Sequence, residues 1–306
     1  MPVKRKITTA LGALLLATSL QAQSYLPEIH GTIRTKFEYQ TEMHASRFEV
    51  RNARVSFAGK VLPVVSYKLE IDLCDEGKMK MLDVYARFTP IERLRITVGH
   101  TRVPFTIDAF RSPHLQYFSN RSFIAKQVGN LRDIGVLGGY ELPTDAPVTL
   151  EAGLFNGRGL DDQKKWNKQV SYAAKAQIDL ARQVNITLST LSVVPGDVRI
   201  SSYNAGAYYQ GPRLHLESEY IYKTYADHTF ADVHALNAFI NYDIPLRRLF
   251  RKLSLLGRYD MMTNQSDGKT TRDDGVLATT DHKRHRATGG LTLSLGETIQ
   301  TDIRLN

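Results

Sequence analysis

The chain has 306 residues, of which 40 are lysine or arginine and 31 aspartate or glutamate, so its formal net charge at pH 7 is +9. A single cysteine excludes an intramolecular disulfide framework. The mean hydropathy of −0.29 looks soluble. An excess of basic residues favours nucleic acid, anionic lipid or small anions as partners.

The first 22 residues have the pattern of a secretory signal peptide. Basic residues at positions 4–6 precede an apolar run over residues 11–20, and small residues follow it. This run is well short of the roughly 20 residues that a membrane-spanning helix needs. We therefore expect residues 1–22 to be removed and the mature chain to be exported, which argues against nucleic acid as a partner.

Beyond the signal peptide, apolar and polar residues alternate with a period of two. In residues 65–73 every odd position is apolar or aromatic and every even position is polar or charged. Such alternation places the two sets on opposite faces of a β-strand. It recurs in residues 94–98, 148–154, 170–178, 184–189, 214–222, 236–242 and 291–295. The sequence predicts about fifteen strands, each with one apolar and one polar face.

The predicted connections alternate between short and long. The long ones are residues 103–131, 156–167, 225–232 and 261–283. Outer-membrane barrels show this pattern because short turns face the periplasm and longer loops face outward. We therefore predict an all-β fold in which residues 23–306 form a transmembrane antiparallel β-barrel in the outer membrane of a Gram-negative bacterium. A closed barrel pairs every backbone group in hydrocarbon.

The odd number of predicted strands bears on how many strands the full-length barrel has. A chain that enters from the periplasm and crosses an odd number of times finishes outside, whereas natural barrels have an even number of strands. We therefore expect about 16 strands in the full-length form, with the last strand following residues 298–306.

The order of motifs over residues 47–138 resembles that of the phosphate-selective porin O and P family. The matching pieces are FEVRNARVSFAG at 48–59, LDVYA at 82–86, ITVGHTRVPF at 96–105 and RDIGV at 132–136. The resemblance implies a sixteen-stranded porin, usually a homotrimer, through which small anions such as phosphate or polyphosphate diffuse passively. It also implies that the third loop folds inward and that basic residues guide the anions.

The predicted third loop, residues 103–131, is the best candidate for a pore constriction. About 29 residues without predicted secondary structure inside a compact fold usually form a functional loop. Its cations outnumber its one acid, Asp108, and a charge at the narrowest point sets ion preference. The predicted constriction and anion-binding residues are Arg102, Arg111, Arg121 and Lys126. An ordinary surface loop with solvated charges is the alternative.

The predicted lumen wall carries charges of both signs. Its basic residues are Arg54, Lys68, Arg87, Arg95, Lys175, Arg258 and Arg286. Its acids include Glu70, Asp72, Asp83, Asp133, Glu151, Asp179, Glu217, Glu219, Asp260 and Asp302. Because the wall is mixed, the residues themselves do not establish phosphate selectivity. A general, non-selective porin is therefore the alternative to an anion channel.

A basic run, HKRHR at residues 282–286, lies at a predicted junction between loop and strand. It could bind the phosphates of lipopolysaccharide, which makes outer-membrane lipids and lipopolysaccharide expected partners. The alternative is a solvated rim of charges.

No motif for catalysis, for a metal or for a cofactor occurs in the sequence. A Gly-x-Ser-x-Gly elbow, HExxH, a P-loop and a dinucleotide fingerprint are all missing. We therefore expect a channel rather than an enzyme. Two further alternatives remain open. One is a barrel enzyme of the lipase or protease type whose site is assembled from separate strands, and the other is a soluble secreted β-protein that binds carbohydrate.

Overall fold

The structure, a computed structural model, describes residues 26–75, 77–129, 132–160, 163–166, 168–181, 183–247, 249–295 and 301–305. The predicted signal peptide, residues 1–22, lies outside the described residues. Residues 130 and 131 at the end of the predicted third loop also lie outside them.

Fifteen described strands form one antiparallel sheet in chain order. They are β1 (Glu28–Gln40), β2 (Ala45–Leu62), β3 (Val65–Asp75), β4 (Lys78–Ile91), β5 (Leu94–Arg102), β6 (Arg132–Leu142), β7 (Val148–Phe155), β8 (Ser171–Ala181), β9 (Val184–Val193), β10 (Ile200–Gln210), β11 (Leu214–Tyr225), β12 (Val233–Pro245), β13 (Phe250–Met262), β14 (Arg284–Leu295) and β15 (Thr301–Leu305). The prediction of an all-β antiparallel fold is confirmed. Among the described strands, β1 and β15 form the two edges of the sheet.

The burial pattern is the reverse of that in a soluble protein. In β3, Glu70 and Asp72 are buried while Leu69 and Leu73 are exposed. In a strand of a soluble protein, the leucines are usually buried and the acids are mostly exposed. A membrane barrel does so because its outer face meets lipid and its inner face is polar. The predicted alternation is therefore present, with the charged side chains directed inward.

A β-bulge interrupts this alternation in β2. Arg34 pairs with Asn52, but the next residue of β1, Thr35, pairs with Val50. Arg51 is therefore the extra residue, and a bulge lets two successive side chains share a face. Arg51 and Asn52 both have inward-facing partners, since Arg51 donates to Asp75 at 2.9 Å and Asn52 to Asp72 at 2.7 Å.

The longest connections all lie at one end of the sheet. Residues 103–131, 156–170 and 263–283 join strands at this end, which we call the loop end. Connections at the opposite end, the turn end, are short. Among the described residues, none of the helical segments has the length and apolar character needed to cross a membrane.

Residues 103–129, which we call the inner loop, are enclosed by the sheet. Arg34 of β1 donates to Gln116 at 2.7 Å, and Arg304 of β15 donates to the carbonyl of His114 at 3.5 Å. Strands at the two ends of the strand order thus reach neighbouring residues of one segment. The sheet must curve around the inner loop for both contacts to form.

The inner loop contains short helices, which the sequence did not predict. Two are single turns at Asp108–Phe110 and Pro113–Leu115, and the third is a π-helical turn at Ile124–Val128. Its apolar residues pack on the inner face of the wall from β6 to β13. This buried cluster comprises Val103, Phe105, Phe123, Ile124, Leu137, Phe155, Ala173, Leu191, Ile221, Ala235 and Met262.

Candidate ion pathway beside the inner loop

Arg111 joins the inner loop to β11 through an ion pair with Glu217. One guanidinium nitrogen donates to Glu217 Oε1 at 2.9 Å and the other donates to Oε2. The first also donates to Asp108 at 3.0 Å. Burial alone would lower the pKa of Arg111, but the Glu217 carboxylate outweighs that effect and raises it. This predicted constriction cation is therefore neutralised by acids within a buried ion pair.

Wall carboxylates also bind the backbone of the inner loop. The fully buried Glu219 accepts hydrogen bonds from the backbone N–H groups of Ile107 and of Asp108, the latter at 3.2 Å. Asp260 of β13 accepts one from the N–H of Phe123 at 3.1 Å. A buried backbone N–H needs an acceptor, and the side-chain oxygens of these acids provide one for the loop. These acids therefore hold the loop and are shielded from the rest of the lumen.

Two predicted wall cations bind carbonyl groups of the same loop. Arg258 donates to the carbonyl of Asn120 at 2.9 Å, and Arg286 donates to that of Arg121 at 2.8 Å. Both arginines also pair with Asp260, at 3.2 and 2.8 Å. Arg258 and Arg286 thus contact the loop backbone and one shared acid.

Two further predicted site residues contact Phe110 of the inner loop. The ammonium group of Lys175 lies 4.3 Å from the centre of the Phe110 ring, as in a cation–π contact. Arg102 donates to the Phe110 carbonyl. Both cations are engaged with the loop.

The other predicted wall cations, apart from Arg54, have partners on their own or adjacent strands. Lys68 pairs with Glu70 at 2.6 Å and Asp83 at 3.0 Å, Arg87 donates to Thr97 at 3.0 Å, and Arg95 pairs with Glu141 at 3.1 Å. The contacts with Asp83, Thr97 and Glu141 cross to a neighbouring strand, where such side-chain pairs stabilise the sheet.

On its other side, the inner loop borders a cavity of about 190 Å³, which we call the basic chamber. Its lining residues are Arg34, Arg51, Asn52, Arg54, Asp75, Lys80, Leu82, Gln116, Ser119, Arg121, Lys126 and Arg132. Seven of these are arginine or lysine and one is an acid. Since most of the wall residues belong to β1–β4, the open space and the positive charge lie on the same side of the loop.

Several chamber cations have acid partners that lie behind them in the wall. Arg54 donates to Asp72 at 2.8 Å, and Arg132 donates to Asp83 at 2.9 Å. Asp72 has no exposed surface and Asp83 has almost none. The guanidinium groups therefore separate these acids from the chamber.

Arg34 and Arg121 differ from the other arginines of the chamber, because their acceptors among the described residues are all neutral. Arg34 donates to Gln116 and to the carbonyl of Ser119 at 2.8 Å, and Arg121 donates to loop carbonyls at 3.4 Å. Within the described part of the chain, neither lies within 4.0 Å of a carboxylate. Their charges therefore contribute to the chamber without a paired acid.

The pKa of Arg121 reflects this surplus of positive charge. Burial lowers the pKa of Arg121 to about 10, and repulsion from Arg54, Arg132 and Arg34 adds to the effect against the opposing attraction of Asp108. Even so, Arg121 remains charged at neutral pH. The chamber thus holds stable cations that repel one another and that an entering anion would stabilise.

Gln116 links the basic chamber to a second cavity. This lower cavity has a volume of about 160 Å³, lies between the inner loop and β13–β15, and has Arg304 and Lys252 in its lining. Gln116 lines both cavities, and its buried side-chain N–H₂ group has no acceptor among the residues that the structure describes. The two cavities therefore adjoin along the side of the loop that faces the edges of the sheet.

Apart from Lys68, Arg87 and Arg95, which have partners within the wall, the structure divides the predicted site residues into two groups. Arg121, Lys126 and Arg54 line the basic chamber, whereas Arg102, Arg111, Lys175, Arg258 and Arg286 contact the inner loop or its anchoring acids. The sequence analysis did not identify Arg34, Arg51, Lys80 or Arg132. The alternation in β1 could have revealed Arg34, whereas the bulge conceals Arg51.

An inward-facing polar surface, an apolar outer surface and an internal loop together define the class of channel-forming outer-membrane β-barrels. The model of the family described as phosphate-selective porin O and P matches residues 28–238. The chain therefore belongs to that porin family.

Comparisons with solved structures find the same fold in other porins. An anion-selective porin from Comamonas acidovorans is similar over 87% of this chain and 84% of that one, with 12% identity and a TM-score of 0.54. OmpF of Salmonella typhi in complex with daunomycin is similar over 92% and 91%, with 13% identity and a TM-score of 0.54. A search of curated proteins gave no match.

Proposed function

We propose that this porin is an anion-selective diffusion channel in which ions pass between the inner loop and β1–β4. The observation that carries the proposal is the basic chamber, whose lining includes seven cations and one acid among the described residues. A fixed charge in a narrow passage determines which ions enter, because little salt lies between the charge and the ion. The mixed charge of the whole wall does not set the ion preference. The wall acids that contact the inner loop already accept hydrogen bonds from donors in that loop.

The proposed substrates are small anions, including phosphate and polyphosphate. Arginine suits such ligands because its planar fork can donate to two oxygens at once. Five of the seven chamber cations are arginines. Membership of a phosphate-selective family and the fold shared with an anion-selective porin support this assignment.

The remaining parts of the proposal concern orientation, export, assembly and mode of transport. The loop end faces outside, the turn end faces the periplasm, and residues 1–22 are removed on export. Three copies associate, as is usual in the family. The channel works by passive diffusion and without catalytic chemistry, so a purified barrel should not hydrolyse a panel of lipids, esters or peptides.

Reversal potentials in planar bilayers under a salt gradient test the proposal. The unmodified channel should prefer anions, and phosphate should block its single-channel chloride current. The double variant R34Q/R121Q should lose much of this preference, because neither arginine has a paired carboxylate within the described parts of the chain.

The matched control is R87Q/R95Q, which removes two inward-facing arginines away from the chamber. It should keep the anion preference of the unmodified channel. Cation preference in the unmodified channel, or equal effects of the two double variants, would contradict the proposal and favour a general porin.

A further inference from the structure

Two tyrosine–histidine pairs occur near the loop end of the sheet. The hydroxyl of Tyr220 lies 2.6 Å from Nδ1 of His234, and that of Tyr259 lies 2.8 Å from Nδ1 of His285. Each tyrosine is on a strand that runs towards the loop end, and each histidine is the second residue of the strand that follows. We call these four residues the Tyr–His belt.

The two pairs have the same position in the register. Tyr222 is directly opposite His234, and Met261 is directly opposite His285. The tyrosine of each pair lies two residues before that opposite position, so both contacts are diagonal ones on a shared face. Long side chains reach each other across such a diagonal. A third pair at the loop end, Tyr39 and His44, is longer at 3.4 Å.

The belt is on the outer surface of the barrel. Tyr220 follows the buried Glu219 and precedes the buried Ile221, yet its own side chain is 39% exposed. Tyr259 is 44% exposed and precedes the buried Asp260. In a membrane barrel this face meets lipid, and aromatic residues near a strand end lie at the level of the headgroups.

The hydrogen bonds determine what each histidine can offer a ligand. When the tyrosine hydroxyl donates a hydrogen bond to Nδ1 of a neutral imidazole, the ring carries its own proton on Nε2. Within the described residues, Nε2 of His234 and of His285 has no hydrogen-bond partner. In that tautomer, each pair presents a free N–H donor, held in place by the phenol, to whatever lies against the outer face.

Charge near the belt favours an anionic ligand. The basic run of residues 282–286 includes His285 and the exposed Lys283. Two acids near the belt already have partners. Asp232 accepts a hydrogen bond from the Tyr222 hydroxyl at 2.6 Å, and Asp281 forms an ion pair with Arg284 at 2.8 Å. Positive groups and neutral N–H donors together suit a phosphate group that is partly removed from water.

We propose that the Tyr–His belt binds phosphate groups of lipid headgroups in the outer leaflet, namely those of lipid A in lipopolysaccharide. The belt faces the membrane rather than the lumen, so it is separate from the basic chamber. The proposal depends on insertion of the barrel in an outer membrane but not on the ion selectivity of the channel.

The test measures retention of lipid A by the purified full-length chain in phosphatidylcholine vesicles that contain lipid A or its dephosphorylated form. The variant H234F/H285F keeps aromatic rings but removes both donors. It should bind lipid A about tenfold more weakly, since two hydrogen bonds to a charged group are lost. Its single-channel conductance and ion preference should match the unmodified channel, because the belt faces outward.

Two further double variants separate this role from a general effect of aromatic surface residues. Y220F/Y259F removes only the hydroxyls that orient the histidines and should also weaken retention of lipid A. If H234F/H285F does not insert into the vesicles, Y220F/Y259F alone tests whether the belt binds lipid A. The control Y140F/Y209F alters outward tyrosines near the turn end and should retain lipid A normally.

Three results would overturn the proposal. Unchanged retention in both belt variants would exclude the belt as a binding site. Equal retention of dephosphorylated lipid A would exclude phosphate as the group recognised. Full displacement by inorganic phosphate at millimolar concentration would assign the site to free phosphate rather than lipid.

Discussion

The two sides of the inner loop use the same kinds of charged residue in opposite ways. On the anchored side, formed by β8 and β11–β14, acids accept loop N–H groups and arginines donate to loop carbonyls. On the open side, formed mainly by β1–β4, the arginines border a cavity and their acid partners lie behind them. The same kinds of charge are therefore buried against the loop on one side and border open space on the other.

The largest expected effect comes from breaking an ion pair that holds the inner loop to the wall. The variant E217Q removes the carboxylate that pairs with Arg111 and leaves that guanidinium buried without its main counter-charge. Breaking a buried ion pair costs about 3 kcal/mol or more. We expect the inner loop to loosen, which should raise single-channel conductance, increase current noise and expose the loop to proteases.

Its control is E151Q, which changes another inward-facing glutamate that does not contact Arg111. If E217Q kept the conductance, the noise and the protease resistance of the unmodified channel, Arg111 and Glu217 would not anchor the loop.

A smaller effect is expected from Asp75, the one acid among the described residues that line the basic chamber. Asp75 pairs with Arg51 at 2.9 Å and with Lys80 at 3.6 Å. The variant D75N removes one negative charge from the open side, so the preference for anions should rise and phosphate should block at lower concentration. The corresponding change D243N, near the turn end, should leave selectivity nearly unaltered. A fall in anion preference with D75N would contradict the assignment of the passage to the open side.

The smallest effect is expected from pH. A base whose pKa is lowered loses its proton earlier as pH rises, and burial lowers the pKa of Arg121 to about 10. Arg121 therefore stays charged throughout pH 6–8, and anion preference should be constant there. It should decrease as pH approaches 10, more steeply in the unmodified channel than in R121Q. A marked change between pH 6 and 8 would show that other groups control the charge of the passage.

The sequence predicted the strands well because a strand with one apolar and one polar face alternates between apolar and polar residues. Residues 65–73 show this most clearly, and β3 has the predicted inward and outward faces. The length of the 103–131 connection was also evident, since no alternation interrupts it. These features are local, so a single sequence is sufficient to find them.

The roles of individual charges were not predictable in the same way. Arg111 and Arg121 are ten residues apart in one loop, yet one binds a wall acid and the other faces the chamber. Glu217 is 106 residues from Arg111, and no periodicity in sequence indicates such a pairing. Arg51 was missed for a different reason, because the bulge in β2 shifts it to the inner face.

The central claim, that ions pass on the open side of the inner loop, can be tested by chemical access. In a C74S background, single cysteines would replace Lys80, which lines the basic chamber, or Asn237, which is buried beside Arg111 and Phe239 on the anchored side. A negatively charged, membrane-impermeant thiol reagent would then be added during single-channel recording. The account predicts rapid modification and reduced anion current for K80C, and little or no change for N237C. Equal modification at both positions, or modification of N237C alone, would contradict it.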